Sequence, residues 1–427
     1  MKFNTILDVH RFLERIPKFQ SAGEIAAKFD LDRFRAFCGE MGDPHRKFES
    51  IHVAGTNGKG GTCNILASIY QQAGYRIGVY TSPHLTEYRE RFVIDGETIS
   101  DNELLEFFQH HRQLIERFKL TYFEISTAVA FWWFSRRGVD LAVIEAGLGG
   151  RLDATNVVEP VASVITNVSL DHTGILGESI RDIAREKAGI IKKQIPLVLG
   201  NVGPEAREEI EMVAAGRHSP VTGIDGLSPR WESGSCILNT DGKELALPTD
   251  LTHPVNAYNI ATAWRVVTVL QPLFPVEAED IRRGVRTVGA RYGYPGRFEK
   301  LHPDLDWYFD GAHNPEAVKA MVEAVSRINP PGQSTLILSI MGDKLNESVA
   351  MEFQKFKKIY YYELSSERAA RMDDVKKWIP AVRPISNQEG EEGHFLKDLE
   401  SELVIFAGSF YFYPTVRNWL QSSTVVR

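Results

Sequence analysis

Gly55, Thr56, Asn57, Gly58, Lys59, Gly60, Gly61 and Thr62 stand where an apolar strand ending at Ile51 and Val53 runs into a helical stripe of Ile65, Leu66, Ile69 and Tyr70. Glycines in such a turn let backbone N–H groups approach an anion at a helix N-terminus, and a lysine adds a movable positive charge. The segment predicts a phosphate site. It departs from the standard P-loop spacing, because Val53 occupies the position of the leading glycine. The plainer reading is a glycine-rich turn with an exposed lysine, which leaves the Gly-Lys-Gly order unexplained.

Three further segments end apolar strands in polar residues, the place where open α/β sheets build sites. They are Thr81-Ser82-Pro83-His84-Leu85, then Glu145-Ala146-Gly147-Leu148-Gly149-Gly150-Arg151-Leu152-Asp153-Ala154-Thr155-Asn156, and Asn167-Val168-Ser169-Leu170-Asp171-His172-Thr173. Magnesium takes a few protein ligands plus phosphate and water, so Ser82, Glu145 and His172 could form a set beside a phosphate loop. Taken singly, His172 reads as an ordinary hydrogen-bonded histidine and Glu145 as half of an ion pair. Residues 179–189 read as a helix with Ile180, Ile183, Ala184 and Lys187 on one face, so Lys187 follows the apolar stripe inward. A lysine there either snorkels to water or has a specific reason to be buried.

The elements that must position these groups alternate strand and helix along the chain. Strands are expected near Ile51 and over 76–80, 141–145, 161–166 and 196–199, with hairpins and loops over 200–252 and a helix over 256–270. The turn-rich run Arg291-Tyr292-Gly293-Tyr294-Pro295-Gly296-Arg297 marks a boundary. A second series follows, with strands over 307–309, 335–339, 358–363 and 402–407. The fold class is α/β: a P-loop-type, mainly parallel sheet domain over 1–294, then a smaller Rossmann-like α/β domain over 295–427.

Bulk properties narrow the function classes. A chain of 427 residues exceeds one ordinary core. With 43% hydrophobic and 25% charged residues its composition is globular, and a formal charge of -7 argues against a nucleic-acid partner. Cys38, Cys63 and Cys236 are too few and too scattered for a disulfide framework or a cysteine metal site, which suits a reducing cytoplasm. The N-terminal stretch mixes charges into its apolar residues, so neither a signal peptide nor a membrane partner is expected.

Taken together, these segments resemble the bacterial folylpolyglutamate synthases and dihydrofolate synthases of the Mur ligase superfamily. The resemblance runs through Gly42-Asp43-Pro44-His45, the phosphate-loop segment, Thr81-Ser82-Pro83-His84-Leu85 with Glu90-Arg91, Phe123-Glu124 with Thr127-Ala128, the Gly147 to Asn156 run, Leu170-Asp171-His172-Thr173 and Arg185-Glu186-Lys187-Ala188-Gly189. Beyond the boundary it covers Pro295-Gly296-Arg297-Phe298, Asp310-Gly311-Ala312-His313-Asn314-Pro315, Met341-Gly342-Asp343-Lys344 and Gly408-Ser409.

The resemblance implies a Mur ligase-type central domain and a C-terminal glutamate ligase domain. It implies ATP phosphates on the loop from Gly55 to Thr62, with nucleotide contacts from Asn259, Arg297, Asp310 and His313. It assigns magnesium to Ser82, Glu145 and His172, with a second ion helped by Lys187 carboxylated on its side chain. Carboxylation would supply the reason for burial, since it turns a cation into an anionic oxygen ligand. Substrate contacts are implied at Ser82, Pro83, His84, Glu124, Arg151 and Asp153, and catalytic roles at Lys59, His172 and Lys187. Two departures are visible. Gly61 stands where the family carries serine or threonine, with Thr62 the nearest hydroxyl, and Pro254, Val255 and Asn256 stand where it often shows a His-Gln pair.

The expected activity is ATP-dependent addition of L-glutamate to a folate or to dihydropteroate, in a monomer. Two rivals are a related ligase acting on cell-wall precursors and a regulatory NTPase without ligase activity. The Thr-Ser-Pro-His-Leu and Gly-Leu-Gly-Gly-Arg-Leu-Asp-Ala-Thr-Asn runs weigh against the first, and the second domain against the other.

Overall fold

The computed structural model describes residues 3–16, 31–385 and 392–422. The chain divides into two compact units, the first of residues 1–250 and 256–293, the second of residues 251–255 and 294–427.

The first unit is built on strands β1 (Glu49–Ala54), β2 (Ile77–Tyr80), β3 (Phe92–Ile94), β4 (Glu97–Thr98), β5 (Leu141–Glu145), β6 (Ala162–Asn167), β7 (Leu197–Asn201) and β8 (Val221–Gly223). They form one sheet in the order β4-β3-β2-β5-β1-β6-β7-β8. From β2 to β8 the pairs are parallel, and β3 and β4 add an antiparallel edge. The sequences of the central strands dictate this. Leu141 to Glu145 and Ala162 to Asn167 are buried at every position, as expected of parallel strands covered by helices on both faces. Register then does the positioning. Val53 lies opposite both Glu145 and Val164, and Tyr80 opposite Ile144, so the segments leaving β1, β2, β5 and β6 emerge at one edge.

The helix Tyr122–Arg137 packs on one face of this sheet, against β2, and the helix Asp101–Phe118 packs on that helix. Each opens on a capping box, Ser100 with Glu103 and Thr121 with Glu124, which satisfies N–H groups that have no partner inside the helix. Beneath them Phe107, Phe108, Phe131 and Phe134 are fully buried together with Phe34 and Phe37. Each such side chain contributes on the order of 2 kcal/mol by leaving water. The helix Lys59–Gln72 follows β1, and a meander of β9 (Arg230–Glu232), β10 (Ser235–Thr240) and β11 (Lys243–Pro248) precedes the helix Asn256–Leu270.

The second unit has strands β12 (Arg297–Lys300), β13 (Trp307–Asp310), β14 (Thr335–Leu338), β15 (Lys358–Tyr361), β16 (Arg383–Pro384) and β17 (Val404–Ala407). Their order is β12-β13-β17-β14-β15-β16, parallel except for β12. The last strand therefore inserts between β13 and β14. Asp310 and Ala407 are opposite each other at the C-terminal ends, where a doubly wound sheet opens its crevice.

The α/β class and the mainly parallel first sheet agree with the sequence reading. The expectation of hairpins and loops over 200–252 needs correction, because the helix Pro204–Gly216 and β8 lie inside it. Ala206, Ile210 and Ala214 form a buried stripe at four-residue spacing, narrow and carried mostly by alanine.

Candidate active site

The turn after β1 is held open by its neighbours on β6. Thr166 donates its hydroxyl to the Asn57 carbonyl at 2.7 Å, and a Cβ at Gly55 would collide with the Thr166 side chain. Thr56 N donates to Asn167 O at 2.9 Å, and the Thr56 hydroxyl exchanges hydrogen bonds of 3.1 Å with Ser169. Gly58, at φ 82°, caps the helix Lys59–Gln72 in a left-handed conformation that favours glycine. A Cβ there would meet Asn259 Oδ1 at 2.5 Å, so Asn259 lies against the turn. Asn259 in turn donates to Asn256 Oδ1 at 2.9 Å. Gly60 and Gly61 are buried beneath the turn, and the fully buried Thr62 hydroxyl has no hydrogen-bond partner.

Lys59 folds back over the turn, donating to Gly55 O at 3.0 Å and Thr56 O at 3.1 Å. Its Nζ is 3.9 Å from Glu145 Oε1, and Glu145 Oε2 accepts the Ser82 N–H at 3.1 Å. Glu145 is 2% exposed. A buried carboxylate offers a hard dication an oxygen ligand, with phosphate and water filling the rest of the shell. The chemistry of the donor set fits magnesium in this respect. Ser82 precedes Pro83 in a cis peptide, and His84 Nδ1 accepts from Arg91 Nε at 2.8 Å. The loop between them is gathered by Glu90, whose carboxylate accepts from Leu85, Thr86 and Glu87 N–H groups. A cavity of about 370 Å³ opens beside it, with His84, Tyr88 and Tyr122 among its aromatic lining and Glu14, Arg89 and Asp101 among its charged lining.

His172 sits after β6 in a left-handed conformation at the start of a short helix, with a 38% exposed side chain and its ring 4.0 Å from Asp171. Lys187 is 3% exposed, and Ile183 and Ala184 are buried with it, as the helical spacing requires. Burial, with the nearby charge of Lys59, lowers the Lys187 pKa to about 7, and Asp171 and Asp153 oppose that shift. Among the described residues no group of three His, Cys, Asp or Glu side chains gathers for a metal. The implied set contains only Glu145 and His172 of those types.

Glu124, Arg151 and Asp153 are engaged within the protein. Both Glu124 oxygens accept from Arg33, at 2.7 and 2.9 Å, and one also accepts from Thr121 N. Arg151 pairs with Glu186 at 2.8 Å. Asp153 accepts from Leu148 N at 2.9 Å and from the Thr155 hydroxyl at 2.5 Å; burial raises its pKa against these bonds. The Thr155 hydroxyl also meets the buried His52 Nε2 at 2.8 Å.

In the second unit, the Arg297 guanidinium lies over Tyr294 and Phe410, with its carbon 5.9 and 5.1 Å from the ring centroids. Asp310 accepts from Ala312 N at 2.8 Å, and burial pushes its pKa up to about 7. His253 Nε2 is 3.7 Å away, but burial lowers that imidazole to about 3. The two are therefore no ion pair at neutral pH. His313 Nδ1 is 2.7 Å from Gly311 O, and its ring packs edge-on to Phe410.

Sequence reasoning missed the bracing role of Thr166, Asn167 and Ser169. Their signal was present as a polar run ending an apolar strand, of which only the imidazole of His172 that follows was given a role. Arg33 had no local signal, since its partner Glu124 is brought to it only by the fold.

The chain matches the Mur ligase middle domain over residues 53–267 and the Mur ligase glutamate ligase domain over 296–408. These matches define a Mur ligase. Folylpolyglutamate synthase of Lacticaseibacillus casei is 31% identical over 431 residues, covering 96% of this chain and 98% of the relative. Dihydrofolate synthase/folylpolyglutamate synthase of Bacillus subtilis is 30% identical, covering 93% and 96%. A crystal structure of a bifunctional folylpolyglutamate synthase/dihydrofolate synthase with Mn, AMPPNP and L-glutamate bound superposes with a TM-score of 0.85 at 28% identity, covering 99% of each chain. Within the Mur ligases, the chain belongs to the folylpolyglutamate synthase/dihydrofolate synthase family. No helix among the described residues is long and apolar enough to cross a membrane.

Proposed function

We propose that the enzyme uses ATP to join L-glutamate to the carboxylate of a folate or of dihydropteroate, acting as a cytoplasmic monomer. The observation that carries this reading is the phosphate loop with Lys59 folded over it, 3.9 Å from a buried Glu145 at the end of the adjacent strand. The substrate carboxylate attacks the γ-phosphorus and ADP leaves, giving an acyl phosphate. The glutamate amine then attacks the acyl carbon, a proton is lost from nitrogen, and phosphate departs as the amide forms.

Lys59 and the N–H groups from Gly58 to Gly61 orient the triphosphate and offset charge on the transferring group, where catalysis of phosphoryl transfer mostly resides. Ser82, Glu145 and His172 would hold magnesium, with Lys187 as a carbamate serving a second ion. When bound, the metal supplies positive charge at the phosphoryl oxygens. Asn259, Arg297, Asp310 and His313 serve the nucleotide. The cavity beside His84 and Tyr122 receives the substrate, and Ser82, Pro83, His84, Glu124, Arg151 and Asp153 serve as substrate contacts. The test is product analysis by mass spectrometry with dihydropteroate and with tetrahydrofolate, each with ATP and glutamate. A mass gain of one glutamyl group is expected; phosphate release indifferent to glutamate and pterin would overturn the reading.

A further inference from the structure

The helix Ile180–Ala188, which carries Lys187, ends without the left-handed residue that commonly closes a helix: its C-cap, Gly189, is at φ -60° and ψ -14°. The carbonyls of its last turn accept from the chain that follows, Gly189 N to Glu186 O at 3.3 Å, Ile190 N to Lys187 O at 3.2 Å and Ile191 N to Ala188 O at 3.0 Å. The loop after β5 adds further donors at the helix end. Arg151 N donates to Glu186 O at 2.8 Å, and Asn156 Nδ2 donates to Gly189 O at 3.0 Å while also donating to Arg151 O at 3.0 Å. One buried amide thus ties loop to helix end. Its orientation follows from these partners, since a flipped amide would set its oxygen against two carbonyls. Asn156 Oδ1 is buried and has no partner, so the side chain is kept there for its donors. The two backbones are also in contact, for a Cβ on Gly150 would meet the Glu186 and Lys187 carbonyls at 2.9 Å.

We infer that Asn156 is a positioning residue for Lys187: it clamps the last helical turn onto the loop after β5 and so fixes where the Lys187 side chain enters the site. Burying a lysine is costly, and a loosened turn would let the amine swing to water. The inference rests on the reading that Lys187 serves the reaction, but its placement is testable apart from that role.

The experiment is lysine acetylation of the full-length protein read by mass spectrometry, with the exposed Lys193 as internal reference, beside steady-state kinetics. Asn156→Ala and Asn156→Asp both remove the two donated bonds. Both are expected to raise acetylation of Lys187 about tenfold relative to Lys193 by local opening, and to lower kcat at least about tenfold with KM for ATP within about threefold. Ser163→Ala is the control, because it removes a buried bond of 3.0 Å to Ile190 O, just beyond the clamp. It is expected to change neither readout. Unchanged Lys187 protection in both Asn156 variants, or an equal rise in Ser163→Ala, overturns the inference. Wild-type amide exchange gives a test that needs no variant. The Arg151 and Gly189 amides are expected to exchange slowly and together, and rapid exchange at Arg151 would count against a clamp. Lys187→Ala is measured alongside: an active variant removes the role of Lys187 in the reaction, while the labelling still decides the placement.

Discussion

Lys59 Nζ and Glu145 Oε1 face each other at 3.9 Å, outside hydrogen-bonding distance, although each has closer partners on its other side. The lysine is held by the carbonyls of Gly55 and Thr56, and the carboxylate by the N–H of Ser82. Two opposite charges are thus fixed by separate pieces of backbone around a gap. Parallel register produces this, since Glu145 lies directly opposite Val53, two residues before the turn begins.

Lys59→Ala is expected to abolish nearly all amide formation while leaving the melting temperature within a few degrees. The side chain is 17% exposed and supports only two loop carbonyls, so little core packing is lost. A variant keeping more than about a tenth of the wild-type rate would have lost less than roughly 1.4 kcal/mol of transition-state stabilisation, too little for a phosphate-facing lysine.

Glu145→Gln keeps the volume and the acceptor for Ser82 N but removes the charge. The expected result is a magnesium activation curve shifted to higher concentration and a strongly reduced maximal rate, because hard dications prefer carboxylate oxygen. A magnesium titration superposing on that of the wild type would make Glu145 a purely structural group.

What the sequence disclosed about this site divides along a physical line. Strand-to-turn-to-helix patterns are local, so the glycine-rich turn after β1, the segment at Ser82 and Glu145 at the end of β5 were legible. So was the inward face of Lys187, because helical spacing alone fixes it. Long-range pairing was not. Nothing near Glu124 announces that Arg33, 91 residues away, takes both its oxygens, nor near Asn57 that Thr166 will hold its carbonyl. In the second unit, the alternation disclosed the series of strands, but the insertion of β17 between β13 and β14 is set only by the tertiary fold.

Arg33→Ala tests whether Glu124 is held for structure. Removing the guanidinium leaves a carboxylate in a side chain only 9% exposed, with Thr121 N as a remaining donor. The expected cost is about 2 kcal/mol of stability, seen as a lower denaturant midpoint, with kcat/KM per folded molecule preserved. An unchanged midpoint with impaired turnover would instead place the Arg33–Glu124 pair in substrate handling.

Lys187→Arg separates a carbamate from a solvated ammonium. Arginine keeps the charge but cannot be carboxylated in this way, so the variant is expected to be inactive. Lys187→Ala is expected to regain part of its rate with added formate or acetate, which returns a carboxylate to the vacated volume. A turnover number for Lys187→Arg near that of the wild type would count against carboxylation.

The last prediction uses Asp310, whose buried carboxyl has its pKa pushed up to about 7 from an ordinary value of 3.8. The sign follows from proton binding. Between those two values the folded protein holds a proton that the unfolded chain has released, so Asp310 lowers stability progressively as pH rises from about 4 to about 7 and adds no further change above that. Asp310→Asn is neutral at every pH. Relative to this variant, the wild type is therefore expected to lose stability across that window, by on the order of a few kcal/mol. The neighbouring His253, pushed down to about 3, acts in the opposite direction by destabilising the fold as pH falls below its ordinary range. Denaturant titrations of wild type and Asp310→Asn at pH 5, 6, 7 and 8 measure that difference. A constant gap across the series would mean that the Asp310 carboxyl ionises in the folded protein as it does in the unfolded chain, and that burial does not hold its proton.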